Sequence, residues 1–185
     1  MLFRVPRLLT ALALVAATSV GLAQIIRLDL PQMVAQTDDA VLGTITASKV
    51  FRTDGFKEGQ VQELYFTTLT ITGRSLSNDQ PLTVDVTFPG GLISPTVGAH
   101  NSEAPAVADT KVGNRVVAFF RHVEDLGNGL ACNALYTSHG GLYRVYTQRG
   151  TDVVQGRGAG YAISSNWTLE SLDAEISRLK AEGKR

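Results

Sequence analysis

The chain has a single cysteine, Cys132, in 185 residues. One thiol excludes an internal disulfide, so the fold must rest on apolar burial rather than on cross-links. Excess charge of either sign is also missing: Lys and Arg number 17, Asp and Glu 17. Basic residues are scattered, and only the tail "KAEGKR" is mildly basic. That excludes the cationic stripe on which nucleic-acid binders depend. Charged residues make up only 18% and hydrophobic residues 44%, a balance that supplies a packed core and argues against disorder. Recognisable catalytic punctuation is absent too. There is no G-x-S-x-G, no phosphate loop and no dinucleotide fingerprint, and the three histidines, His100, His122 and His139, form no H-x-x-x-H or H-E-x-x-H pair. Internal repeats and a second domain are likewise missing.

What is present begins at the N-terminus. "MLFRVPR" is a short basic stretch carrying Arg4 and Arg7, and "LLTALALVAATSVGLA" is an uncharged apolar run that ends in small residues. The run is about 16 residues, short of the ~20 that span a bilayer. It predicts a signal peptide over residues 1–23 with cleavage before Gln24, and therefore a secreted or periplasmic mature domain over 24–185 with no membrane span once the leader is removed. Removing Arg4 and Arg7 takes the 17 basic residues to 15 against 17 acidic ones.

Beyond the leader the hydrophobic period changes twice. "LDLPQMVAQTDD" predicts a short helix: Asp29 caps it, Gln32 returns the bond as a capping box, and Pro31 is tolerated in the first turn. Strand-like runs follow at Ala40–Phe51, Glu63–Gly73 and Leu82–Phe88. In the last of these Leu82, Val84, Val86 and Phe88 alternate with Thr83, Asp85 and Thr87, giving one buried and one wet face. "TDGFKEGQ" and "SLSNDQ" separate these runs as turns. Residues 89–114 are rich in Gly, Pro, Ala and Ser. A stretch that long either hides short strands or forms a mobile loop. "RVVAFFRHV", Arg115–Val123, is apolar on both faces and predicts a strand covered on both sides. "EDLGNG" is a hairpin turn, "CNALYTS" and "LYRVYTQ" are two further short strands, and "TDVVQGRGAGYA" is ambiguous. The chain closes on an amphipathic helix over 168–182, capped by Thr168, with Leu169, Leu172, Ile176 and Leu179 on one face. About six strands with turn signals and a helix at each end predict a mainly β domain, a small barrel or sandwich. Its connections should be antiparallel, because no helical pattern separates the strands. "FPGG" and "HGG" are read as barrel corners, the glycines supplying positive φ.

The order of these elements resembles a group of small secreted bacterial proteins of uncharacterised function. The resemblance runs through "MVAQTDDAVLGTITASKV", "LYFTTLTITGRSL", "FPGG", "KVGNRVVAFFRH", "GGLYRVYT" and "TLESLDAEISRL", roughly Leu28 to Leu179. More faintly, the layout is similar to the netrin-like, metalloprotease-inhibitor-like module. That resemblance implies an antiparallel OB-like barrel of about five to six strands flanked by helices. It does not carry inhibition across, because such modules reach a metal through an N-terminal cysteine and the mature N-terminus here has none.

Candidate chemistry is sparse. Tyr136, Tyr143, Tyr146 and Tyr161 could form a stacking platform of the kind OB barrels offer to sugars or single strands, the neutral net charge weighing against the latter, and Tyr136, His139, Tyr143 and Tyr146 are the candidate ligand-binding set. Cys132 lies among apolar residues with no cation beside it, the setting of an inert thiol, and a Cys132–His139 nucleophile pair has no accompanying oxyanion feature. "GRGAG" lacks the Lys-Ser/Thr and helix start of a phosphate loop and reads as a turn. Neither a catalytic residue nor a metal ligand nor a cofactor is assigned. The reading that follows is a binding or interaction module holding an extracellular protein or glycan, with one barrel face or the 89–114 loop as the gripping surface and with no role for nucleic acid. The alternatives are a hydrolase or metal-dependent enzyme whose site assembles only in three dimensions, gathered for example from Asp85, His122 and His139, and a structural component of the cell envelope.

Overall fold

The computed structural model describes residues 28–183; the leader and cleavage site read from residues 1–23 lie outside them. Helix α1 spans Leu30–Gln36. Its capping box is formed in both directions: the Asp29 carboxylate accepts from the Gln32 N–H at 2.8 Å, and the Gln32 side-chain oxygen accepts from the Asp29 N–H at 3.1 Å. At its other end the Thr37 hydroxyl donates to the Met33 carbonyl at 2.8 Å, and Thr37 is the C-cap that closes the helix.

Ten strands follow: β1 Asp39–Lys57, β2 Gln60–Ser75, β3 Pro81–Pro89, β4 Gly91–Ser94, β5 Val97–Ala99, β6 Arg115–Val123, β7 Cys132–Leu135, β8 Leu142–Gln148, β9 Thr151–Val154 and β10 Trp167–Thr168. A 3-10 turn, Ser138–Gly141, separates β7 from β8, and helix α2, Leu169–Glu182, ends the described chain. The first hairpin is longer than its sequence suggests. Most of "TDGFKEGQ" is strand, and the turn shrinks to Glu58–Gly59, both with positive φ (54° and 78°), the two-residue geometry that matches strand twist.

Five strands close a barrel in the order β1-β2-β3-β7-β6, with β6 returning to β1. The expectation of an all-antiparallel barrel is corrected here. β3 and β7 run parallel, with Thr87 opposite Ala134, whereas the other neighbours in the ring are antiparallel. The cause is parity. Directions that alternate around a ring cannot close on an odd number of strands, so a five-stranded barrel must contain a parallel neighbour pair. β1 serves two structures at once: residues 39–44 pair with β6 inside the barrel, and past an irregularity at Ile45/Ala47 the strand continues with β2, which keeps β3 on its other side as far as Phe66, so that only beyond Phe51 do β1 and β2 form a two-stranded ribbon.

Alternation along the strands builds two cores. Val41, Ile45, Leu69, Ile71, Val84, Val86, Phe88, Val116, Ala118 and Phe120 fill the barrel. Their neighbours Ala40, Leu42, Val117 and Phe119 face outward and are covered by Leu30, Met33 and Val34 of α1 and Leu169, Leu172 and Ile176 of α2. This is why "VVAFF", Val116–Phe120, is apolar at every position: β6 is the wall between the two cores. Thr168 caps α2 by accepting from the Ser171 N–H at 3.2 Å, and the Lys180 ammonium donates to the Thr37 carbonyl at 2.8 Å, tying the end of α2 to the end of α1. Arg74 of β2 bonds Asp173 at 2.5 Å and fastens α2 to the first hairpin.

Residues 89–114 contain short strands, the first of the two possibilities the composition leaves open. β4 and β5 pair as a hairpin, with Leu92 opposite Gly98 and Ser94 opposite Val97. The remainder lies against the barrel: Pro105 is buried, Ala104 packs on the barrel core, and the Asn114 amide donates to the carbonyls of Ala108 and Asp109. The two Gly-Gly pairs differ in kind. Gly90 and Gly91 take φ of 99° and 135°, as a corner demands. At "HGG" the positive φ values fall instead on Thr137 and Ser138 (49° and 48°), and Gly141 is needed for space, because a Cβ there would lie 2.2 Å from the Tyr136 carbonyl oxygen.

Candidate functional site

The four residues singled out from the sequence are dispersed into separate roles. Tyr143 is wholly buried in the core beneath the helices, edge-on to Phe119 with ring centres 6.2 Å apart. Burial pushes its hydroxyl pKa up to about 12, against the smaller downward pull of a hydrogen bond from the Ile163 N–H. It therefore has no face to offer a ligand. Tyr146 lies three residues along β8, on the opposite side of the strand from Tyr143 by alternation, half-buried, and its hydroxyl accepts from Asn166 at 3.0 Å. Tyr136 bonds Gln36 at the end of α1, and the Arg121 guanidinium sits 5.2 Å from its ring centre.

His139 does a fastening job. Its backbone N–H and its Nδ1 both meet the Glu103 carbonyl, at 2.8 and 2.9 Å, and its Nε2 meets the Tyr161 hydroxyl at 2.9 Å. A carbonyl only accepts, so Nδ1 donates to it, and the Tyr161 hydroxyl, which can donate or accept, pairs with Nε2. The ring thereby joins the 100–114 segment to the loop after β9, and both its nitrogens are occupied by protein groups other than Cys132. Cys132 itself opens β7, half-buried, and burial raises its thiol above the ordinary 9.0 while a Thr87 hydrogen bond offsets part of that rise. His122 is exposed at the end of β6, where its backbone N–H donates to Asp38 at 2.6 Å, and His100 is exposed. Among the described residues no group of three or more His, Cys, Asp and Glu side chains is placed to hold a metal ion, and no helix is long and apolar enough to cross a membrane.

The most distinctive exposed surface is the β4–β5 hairpin. Leu92, Ile93 and Val97 are 42%, 51% and 43% exposed, three aliphatic side chains within six residues of chain. The hairpin has a firm base. The Gly90 N–H donates to the Tyr65 carbonyl at 2.7 Å, the buried Thr67 hydroxyl donates to the Gly90 carbonyl at 2.7 Å, and the Asn101 amide donates to the Pro89 carbonyl at 3.1 Å. Gly91 sits so close to β1 and β2 that an added Cβ would lie 2.3 Å from Thr67 Oγ1 and 2.8 Å from a Val50 methyl. Buried hydrogen bonds and tight backbone contact hold the base, while the tip keeps its apolar side chains in water. A second exposed apolar pair, Phe56 opposite Val61, lies at the tip of the β1–β2 ribbon.

These surfaces are faint in the sequence. "GLISPTVGA" does carry a turn signal, Ser-Pro-Thr, between two short aliphatic runs, the pattern of a small hairpin. Its exposure is set by the tertiary packing and not by its local period. Compared with known protein families, curated proteins and solved structures, the chain matches none.

Proposed function

We propose that the chain is a secreted or periplasmic barrel of OB-like topology that acts as a binding module and grips a protein partner through the β4–β5 hairpin. The strand order supports the topological reading: counting only the ring, the order is first, second, third, fifth, fourth, with the parallel contact between third and fifth. The faint netrin-like resemblance belongs to the same reading, and the basic-then-apolar start of the sequence supports export.

The observation that carries the functional reading is the pairing of a rigid base with an exposed aliphatic tip. Three exposed side chains on a hairpin held by buried bonds cost little entropy to dock, since the backbone is already ordered. Aliphatic tips gain by leaving water against another apolar surface. Glycans are gripped by aromatic faces and by dense polar groups, neither of which Leu92, Ile93 and Val97 provide. A protein is therefore the better-matched partner.

The test replaces Leu92, Ile93 and Val97 together with serine. Circular dichroism and melting temperature should stay close to the parent, because none of the three is in either core. A partner recovered from the extracellular and envelope fractions with the parent should be lost with the variant. Equal recovery by both proteins would remove the hairpin from the account.

A further inference from the structure

Where the 100–114 segment, β8 and the loop after β9 meet lies a polar cleft of about 330 Å³, lined by Asp109, Arg144, Gln155, Gly156, Arg157 and Tyr161. Its electrostatics are unbalanced. Arg157 Nη2 bonds Asp109 Oδ2 at 2.9 Å, and Arg144 Nη1 stands 4.0 Å from Asp109 Oδ1, so two guanidiniums share one carboxylate. The other lining residues are uncharged, which leaves the cleft with one net positive charge.

The hydrogen bonds point the same way. Arg157 spends Nε on the Leu142 carbonyl at 2.9 Å, and Arg144 spends Nη1 on the Ala108 carbonyl at 3.1 Å. Both donors are thereby fixed to backbone, which orients the two planar forks in advance of any ligand. Among the described residues Arg144 Nη2 and Arg157 Nη1 meet no acceptor, and Arg144 Nε is buried with no partner there. A buried guanidinium N–H with no acceptor carries the full cost of its lost hydration. A small turn of that guanidinium towards an oxyanion in the cleft would give it one.

We propose that this cleft binds the oxyanion group of a small polar molecule, a carboxylate or a phosphate, between Arg144 and Arg157. Asp109 is then the internal stand-in for the ligand: it holds the two forks together and competes with the incoming anion. The cleft has room for more than a bare inorganic ion, enough for an oxyanion on a small body that reaches the Gln155 amide and the Tyr161 ring. This site is independent of the hairpin, and either can fail without the other.

The experiment is a titration of the isotopically labelled domain, residues 24–185, followed by NMR. One arm uses inorganic phosphate and the other glucuronate, at constant ionic strength set with chloride. The expected result is saturable movement of the amide signals of residues 155–157 and of the Arg144 and Arg157 side-chain N–H signals. The arm with the lower dissociation constant identifies the phosphoryl or the carboxylate source. Arg144→Gln should weaken binding about ten-fold, the worth of one charge-assisted hydrogen bond. Asp109→Asn should strengthen it, because the rival carboxylate is gone, and this second variant speaks even if Arg144→Gln does not fold. Absence of saturation in both arms, unchanged binding in a folded Arg144→Gln, or weaker or unchanged binding in Asp109→Asn would each overturn the proposal.

Discussion

Tyr143 shows how one residue can change its meaning when the fold is known. In sequence it is one of four tyrosines that could face a ligand; in the structure it is wholly buried and its hydroxyl pKa rises to about 12. The consequence for stability has a definite sign. The unfolded chain releases this proton near the ordinary value of 10.0 while the folded chain keeps it, so the folded state binds more protons in that interval. Tyr143 therefore contributes stability that is complete below about pH 10 and lost as pH rises towards 12. Urea midpoints should fall across that window in the parent and fall less in Tyr143→Phe, and spectrophotometric titration should show one tyrosine ionising last. Cys132 offers a second check at this scale. A thiol raised by burial reacts slowly, so a thiol reagent at neutral pH should label the native protein at least several-fold more slowly than the urea-unfolded chain. The upward shift of the Cys132 thiol was legible, because it lies among apolar residues with no cation near it in sequence, although the structure leaves it half-buried rather than buried. The roles of His139 and Tyr161 were not, because their meeting depends on two loops brought together by the barrel.

At the scale of elements, what the sequence declares best is what local physics decides. The capping box of α1 and the Thr168 cap of α2 are written in three or four residues each, and both form. The apolar face of α2 is equally plain, with Leu172 and Ile176 at 0% exposure. Leu172→Ala should cost about 2–5 kcal/mol, the range for a buried leucine whose site cannot collapse, read as a lower urea midpoint. A loss under about 0.5 kcal/mol would mean that α2 does not cover the barrel. The length of the first hairpin was hidden for the opposite reason. "TDGFKEGQ" is dense in turn-forming residues, yet strand pairing continues to a two-residue turn, because cross-strand pairing and not local preference sets where the ribbon ends. The stretch after Gly91 was similarly ambiguous. Its hairpin is short, and its remainder is ordered by contacts with distant residues, Arg144, His139 and Arg157.

The whole molecule is a closed mixed barrel with helices over one face and an anchored apolar hairpin standing clear of both cores. A small β barrel with terminal helices was readable from period changes and turn signals. The parallel β3–β7 contact was not, since consecutive strands joined by turns suggest antiparallel neighbours and ring closure is a property of no single connection. The cleft between Arg144 and Arg157 was invisible for a related reason: its charges come from positions 109, 144 and 157, with no motif joining them. The claim on which the functional account turns is that the β4–β5 hairpin is where a partner docks. Site-specific photo-crosslinking tests it most directly. A photoreactive residue is placed at Ile93 and, as control, at the exposed Arg149, and each protein is irradiated in the extracellular and envelope fractions of the producing cell. The account predicts a discrete protein adduct from position 93 that is absent from position 149. Adducts of equal pattern from both positions, or none from position 93, would contradict it.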